Sequence, residues 1–69
     1  MRKWLKDIRK QNKFTQNDMA EFLNIPVTTY ASYEQGKRTP NVRKAAELSE
    51  KLNVKWTIFF GVDVRDSSN

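Results

Sequence analysis

The sequence predicts an all-α protein, a compact bundle of five short helices. Three observations carry that prediction. Apolar residues recur at spacings of three and four. Helix starts and stops are marked by residues with suitable local chemistry, at Thr15, Asn24, Gly36, Asn41 and Asn53. Only 38% of the 69 residues are hydrophobic and 30% are charged, which suits helices with narrow buried stripes better than a large core. A chain of 69 residues makes one small domain, near the least that folds unaided. The expected organisation is residues 1–61 as one folded domain and 62–69 as a short, flexible C-terminal tail. Repeats and low-complexity segments are absent.

Each element has its own justification. Helix one, about Arg2 to Asn12, turns Trp4, Leu5 and Ile8 to one side. Helix two opens on a capping box, with Thr15 and Asp18 able to satisfy each other's backbone N–H. Phe14 and Met19 stand at the positions of a hydrophobic staple. Met19, Ala20, Phe22 and Leu23 form its apolar face. It stops at Asn24, a residue type that tolerates the left-handed conformation. Helix three starts near Pro26 or Val27, where proline suits a first turn, and ends at Gly36. If Tyr30 and Tyr33 turn inward, Val27, Thr28, Ala31 and Ser32 point outward. Helix four runs from about Val42 to Leu52, with Val42, Ala45, Leu48 and Leu52 on one face. Asn41 is its expected N-cap and Asn53 its left-handed end.

The segment Trp56-Thr57-Ile58-Phe59-Phe60 reads as a short fifth helix with more large apolar side chains than it can bury. Trp56 and one of Phe59 and Phe60 are expected to cap the core. The remainder, with Val62 and Val64, forms a patch suited to a second copy of the chain. The expected interface residues are Ile58, Phe59 and Val62, in a weak homodimer.

The net charge is +5, and its distribution is uneven. Arg2, Lys3, Lys6, Arg9, Lys10 and Lys13 face a single acid, Asp7, in the first helix. Lys37, Arg38, Arg43 and Lys44 form a second cluster around the loop after helix three. Basic clusters of this kind are the electrostatic footprint of a phosphate-binding surface, although a lysine-rich face can also be merely solvated. Two short helices joined by a tight turn, followed by a basic loop, form the unit that lays its second helix in the DNA major groove.

The chain has no cysteine and no histidine, which removes disulfides, thiolate metal sites and the commonest catalytic base. With only eight acids, it offers no credible catalytic group or metal site, so no enzyme, metal, cofactor or small-molecule ligand is expected. Lys6-Asp7 interrupts the opening Met-Arg-Lys-Trp-Leu before it can read as a signal peptide. No segment approaches a membrane-span length. The expectation is a cytoplasmic protein with no membrane partner.

Thr15-Gln16, Met19-Ala20, the turn at Asn24-Ile25 and the run Glu34-Gln35-Gly36-Lys37-Arg38-Thr39-Pro40 resemble the helix-turn-helix domain of phage repressor, Cro and related Xre-type regulators. The pattern begins with Leu5-Lys6-Asp7-Ile8-Arg9 and continues through Val42, Ala45, Leu48, Leu52 and Val54, so it covers roughly residues 3 to 60. The resemblance implies a lambda-repressor-like fold with helices two and three as the helix-turn-helix. It implies a regulator, more often a repressor, that binds double-stranded DNA at an operator through helix three. Val27, Thr28 and Ser32 match the positions that touch base edges. Gln16 matches a phosphate-binding glutamine at the start of helix two, where free N–H groups and the helix dipole favour an anion. Lys37, Arg38 and Arg43 are the further expected phosphate contacts. Arg9 and Glu34 match a structural pair that joins helix one to helix three. Family members often dimerise through the C-terminal region. A toxin–antitoxin antidote, or a protein-interaction module that keeps the fold, is the alternative function.

Three departures from the family pattern, at four positions, stand out. Pro26 stands where a capping serine or threonine is usual, so helix three lacks that cap. Asn24 and Asn53 replace commoner glycines. Lys13 sits near a usual glycine, and a left-handed lysine would cost roughly 1–2 kcal/mol. That cost suggests a first turn built differently.

Overall fold

The computed structural model describes residues 1–61, and the described residues are all-α. Helix α1 spans Lys3–Gln11, α2 Gln16–Leu23, α3 Val27–Gln35 and α4 Val42–Leu52, and a short 3-10 helix spans Trp56–Phe60. The chain divides into two compact units, Met1–Arg38 and the part from Thr39 onward. The first holds α1, α2 and α3, with α3 packed against both other helices. Its buried apolar side chains are Leu5, Met19, Ala20, Leu23, Tyr30 and Tyr33. The second holds α4 packed on the 3-10 helix, with Ala45, Leu48, Leu52 and Phe59 buried.

Helix starts follow the sequence chemistry. Thr15 Oγ1 accepts the Asp18 N–H at 3.0 Å, and Asp18 Oδ2 accepts the Thr15 N–H at 2.9 Å, which completes the capping box. The backbone hydrogen bond from Thr15 holds the Asp18 carboxyl below its ordinary pKa. Asn41 Oδ1 accepts the Lys44 N–H at 2.8 Å and caps α4. Pro26 precedes α3 with an extended backbone (φ −63°, ψ 147°) and no side-chain cap.

All four α-helices end in one way, on a left-handed residue: Lys13, Asn24, Gly36 and Asn53. In each, the next N–H reaches back to the carbonyl five residues earlier. The bonds are Phe14 to Arg9, Ile25 to Ala20, Lys37 to Ser32 and Val54 to Ser49, at 3.0–3.1 Å. The left-handed residue's own N–H closes a shorter ring, so carbonyls of the last turn are satisfied at every helix end.

Lys13 corrects one expectation. It adopts φ 59° despite its β-carbon, and the turn is built in the ordinary way. The Arg9 guanidinium reinforces it, since Nη1 donates to the Phe14 carbonyl at 3.0 Å.

Three further expectations about burial are corrected. Val42 is 57% exposed because it lies in the first turn of α4, at the edge of the apolar stripe, and Ser49 occupies the stripe instead. Trp56 does not close the core: it is exposed and stacks edge-on with the exposed Phe60, ring centroids 5.9 Å apart. Phe59, named both as one of two candidate core caps and as an interface residue, is buried where the 3-10 helix packs on α4, which fits the first role and removes it from the second. Ile58 is half-buried, and Val62 lies outside the described residues, as do Val64 and the rest of the expected tail.

Candidate nucleic-acid interface

The turn from Asn24 to Pro26 sets α3 against α2. Tyr30 and Tyr33 then face inward and are buried, while Val27 and Thr28 are exposed and Ala31 and Ser32 half-exposed. Val27, Thr28, Ala31 and Ser32 therefore line the open side of α3, as their spacing requires. They form a shallow surface of methyl and hydroxyl groups with no charge. Such a surface permits close approach of a base edge, with hydroxyls able to donate or accept and Val27 able to meet a thymine methyl.

The C-terminal end of α3 is fixed by its last buried side chain. The Glu34 carboxylate is 2% exposed and sits among donors from three elements. Oε2 accepts Arg9 Nε at 2.8 Å and Tyr30 Oη at 2.7 Å. Oε1 accepts Gln16 Nε2 at 2.9 Å and a longer bond from Arg9 Nη2 at 3.4 Å. Burial alone would push the Glu34 pKa up. The hydrogen bonds from Arg9, Gln16 and Tyr30, with the arginine's charge, outweigh burial and hold it below 4.5. The same bond to Glu34 raises the Arg9 pKa, so both groups are ionised at neutral pH. Tyr30 is raised well above its ordinary value, first by burial and then by its bond to the carboxylate and that group's charge. It stays a neutral donor.

The expected Arg9–Glu34 pair is thus in place. The bond from Gln16 to Glu34 is an addition the sequence did not signal, since the residues lie 18 apart and both are ordinary polar types. It uses one N–H of the Gln16 amide. The second N–H and the amide oxygen are not part of that bond.

Beyond Gly36, Lys37 and Arg38 are exposed on a loop whose backbone is held in place. Both of their N–H groups donate to the Ser32 carbonyl, at 3.0 and 3.3 Å. Arg2 holds the same region from the other side. Its N–H donates to the Glu34 carbonyl at 2.7 Å, and its Nη1 donates to the carbonyls of Tyr33 at 2.6 Å and Arg38 at 2.9 Å. Desolvation by burial lowers the Arg2 pKa from its ordinary value. The sequence showed Arg2 only as one member of a basic run.

In the second unit, Arg43 is exposed in the first turn of α4, behind the Asn41 cap. Among the described residues no group of histidine, cysteine or acidic side chains could hold a metal ion. No helix among them is long and apolar enough to cross a membrane.

Comparison with known proteins agrees with this geometry. A helix-turn-helix family model matches residues 5–59. The chain is 43% identical over 60 residues to the uncharacterized HTH-type transcriptional regulator YqaF of Bacillus subtilis (strain 168), covering 87% of this chain and 79% of that protein. It is 42% identical over 50 residues to the uncharacterized HTH-type transcriptional regulator YqaE of the same organism, covering 72% of this chain and 43% of YqaE. It is also 33% identical over 67 residues to its HTH-type transcriptional regulator ImmR, covering 97% of this chain and 53% of ImmR. The chain thus spans about half the length of the last two relatives. No solved structure matches it. The chain belongs to the helix-turn-helix family, of the Xre/Cro/C1 type.

Proposed function

We propose that the chain is a sequence-specific DNA-binding transcriptional regulator, acting as a repressor by occupying an operator. Helix α3 enters the major groove, with Thr28 and Ser32 bonding to base edges and Val27 near a thymine methyl. Gln16, Lys37 and Arg38 contact backbone phosphates, as does Arg43 in the second unit. The observation that carries this reading is α3 itself. Its inward face is sealed by Tyr30, Tyr33 and Glu34, and its open face presents small uncharged side chains beside the exposed pair Lys37 and Arg38. The names of its relatives as transcriptional regulators support the same reading.

The protein works in the cytoplasm as a weak homodimer that tightens on DNA. The exposed Trp56–Phe60 pair, with Ile58 and Val62, forms the contact between copies, without Phe59. A two-fold dimer sets two copies of α3 about one DNA turn apart, roughly 34–36 Å, and so reads a near-palindromic site.

Selection of preferred duplexes from a random pool tests the proposal. The expected result is one short, near-palindromic motif. Substituting glutamine at Thr28 or Ser32 should shift the preferred base at one position per half-site, by about 1–3 kcal/mol. Failure to enrich any motif overturns the regulator reading. A motif that both substitutions leave unchanged overturns direct base contact and points to readout of DNA shape.

A further inference from the structure

We infer that Arg2 is a positioning residue for DNA binding, a clamp that fixes the backbone of the Lys37–Arg38 loop from the N-terminal side of α1. The inference rests on the reading of that loop as a phosphate contact.

Helix α3 has no basic residue in its last turn, although the carbonyl end of a helix favours a cation. Arg2, more than thirty residues away in sequence, supplies that cation. One guanidinium nitrogen bridges the carbonyls of Tyr33, inside the last turn of α3, and Arg38, beyond the helix end, at 2.6 and 2.9 Å. The Arg2 N–H adds a bond to the Glu34 carbonyl at 2.7 Å, so the clamp has its own anchor on α3.

The consequence for Arg38 is specific. Its N–H is held by the Ser32 carbonyl and its carbonyl by Arg2. Both peptide groups flanking its Cα are thereby tied to α3, which sets the direction in which its exposed side chain leaves the backbone. Lys37, tied by its own N–H to Ser32, lies inside the same closed segment. A loop ordered before binding loses less conformational freedom on contact with a phosphate. Both Nη1 hydrogens are committed to backbone carbonyls, and the clamp acts on DNA through Arg38.

A double-mutant cycle on the full chain tests the clamp, with a mixed-sequence duplex of about 20 base pairs as probe. Phosphate contacts do not depend on sequence, so no operator is needed. Arg2→Met keeps an apolar stem and removes the donors. Affinity is measured against salt for the wild type, Arg2→Met, Arg38→Ala and the double variant, with folding checked by circular dichroism.

Arg38→Ala is expected to weaken binding about tenfold and to flatten the salt dependence by about one in log–log slope. Arg2→Met is expected to do nearly the same, and the double variant to be little worse than either single one. Effects that add in full would mean an independent contact and would overturn the clamp. So would an Arg2→Met protein that melts earlier but binds with unchanged affinity and slope, since its role would then be stability alone. If Arg38→Ala binds as well as the wild type, the loop is not a phosphate contact, and the underlying reading fails visibly before the clamp is judged. Should Arg2→Met not fold, Arg2→Lys runs the same cycle, because it keeps the charge and loses the planar fork.

Discussion

Replacing Glu34 by glutamine tests the network that holds α3 in place. The change is nearly isosteric, so it alters charge and acceptor count with little change in shape. Four donated hydrogen bonds converge on the carboxylate, two of them from Arg9. A glutamine offers one acceptor oxygen and one N–H₂ group. If its oxygen keeps Arg9 Nε and Tyr30 Oη, its amide nitrogen meets the nitrogen of Gln16. Gln16 can relieve that by turning its own amide over. Arg9 cannot adapt in this way, and its guanidinium loses its counter-charge at a site where its side chain is 13% exposed. Breaking one partner of a buried pair costs about 3–5 kcal/mol, and rescue by the Gln16 flip places this change at the lower end, about 3 kcal/mol. A domain of this size has a total stability of roughly 3–10 kcal/mol. The melting temperature should therefore fall by about 12–24 °C at pH 7, read by far-ultraviolet circular dichroism.

The pH dependence separates charge from shape. The Glu34 pKa lies below 4.5 in the folded chain, so between those two values the unfolded state binds more protons. Its contribution is complete above about pH 5 and is lost as pH falls through the folded value. The gap between wild type and Glu34→Gln should stay constant from pH 7 to 5 and narrow below 4.5. Asp18 is depressed in the same direction, but it is present in both proteins and cancels. A fall of less than about 4 °C, or a gap that stays as wide at pH 3 as at pH 7, would refute the reasoning.

Two further outcomes follow from local chemistry. Lys13→Gly should stabilise the chain by about 0.5–1 kcal/mol: relief of left-handed strain is worth roughly 1–2 kcal/mol, and the greater freedom of unfolded glycine takes back part. The corresponding Asn24→Gly and Asn53→Gly changes should be nearly neutral, and a melting temperature that does not rise for Lys13→Gly would contradict the assignment. Ser49→Ala should also stabilise, by about 1 kcal/mol, because the Ser49 hydroxyl oxygen is buried without a hydrogen-bond partner. An increase in the urea midpoint at unchanged slope is the expected signature, and a decrease would mean the hydroxyl is satisfied.

What the sequence made legible was chemistry confined to a few neighbouring residues. Thr15 with Asp18, Asn41, and the left-handed ends at Asn24, Gly36 and Asn53 each depend on contacts within about five positions, and all are present. The direction of α3 was legible because Tyr30 and Tyr33, three apart, can only share the inward side. Two kinds of information were not legible. One was the edge of an apolar stripe: periodicity put Val42 on the face of α4 but could not say that the first turn leaves it exposed. The same gap placed Trp56 in the core, where it is exposed, and left open which of Phe59 and Phe60 is buried. The other was any bond across the chain between common polar residues. Arg9–Glu34 was reached only through the family resemblance, and nothing marked Gln16 or Arg2 as partners of α3. Lys13 failed for a different reason. A left-handed lysine is strained, but two backbone bonds and the Arg9 bond to Phe14 hold the turn against that strain.

These long-range bonds have a common target, and the sequence of α3 explains why. Alone it would be a poor helix. It has only nine residues, no side-chain cap at its start and no cation at its end. Val27, Thr28, Thr29 and Tyr30 in succession are all of middling to low helix propensity. Isolated helices shorter than about 12–15 residues are marginal even with the best composition. Its conformation is therefore supplied from outside: by burial of Tyr30 and Tyr33, by Arg9 and Gln16 on Glu34, and by Arg2 on its last carbonyls. None of this support passes through the side chains of Val27, Thr28 or Ser32. The groups that hold the helix and the groups proposed to read DNA are thus different residues on opposite sides. Polar substitutions at the reading positions should then alter the preferred sequence while leaving the fold within about 0.5 kcal/mol of its starting stability, as surface changes usually do. Stability and specificity can vary separately in this chain because α3 contributes a surface and borrows its structure.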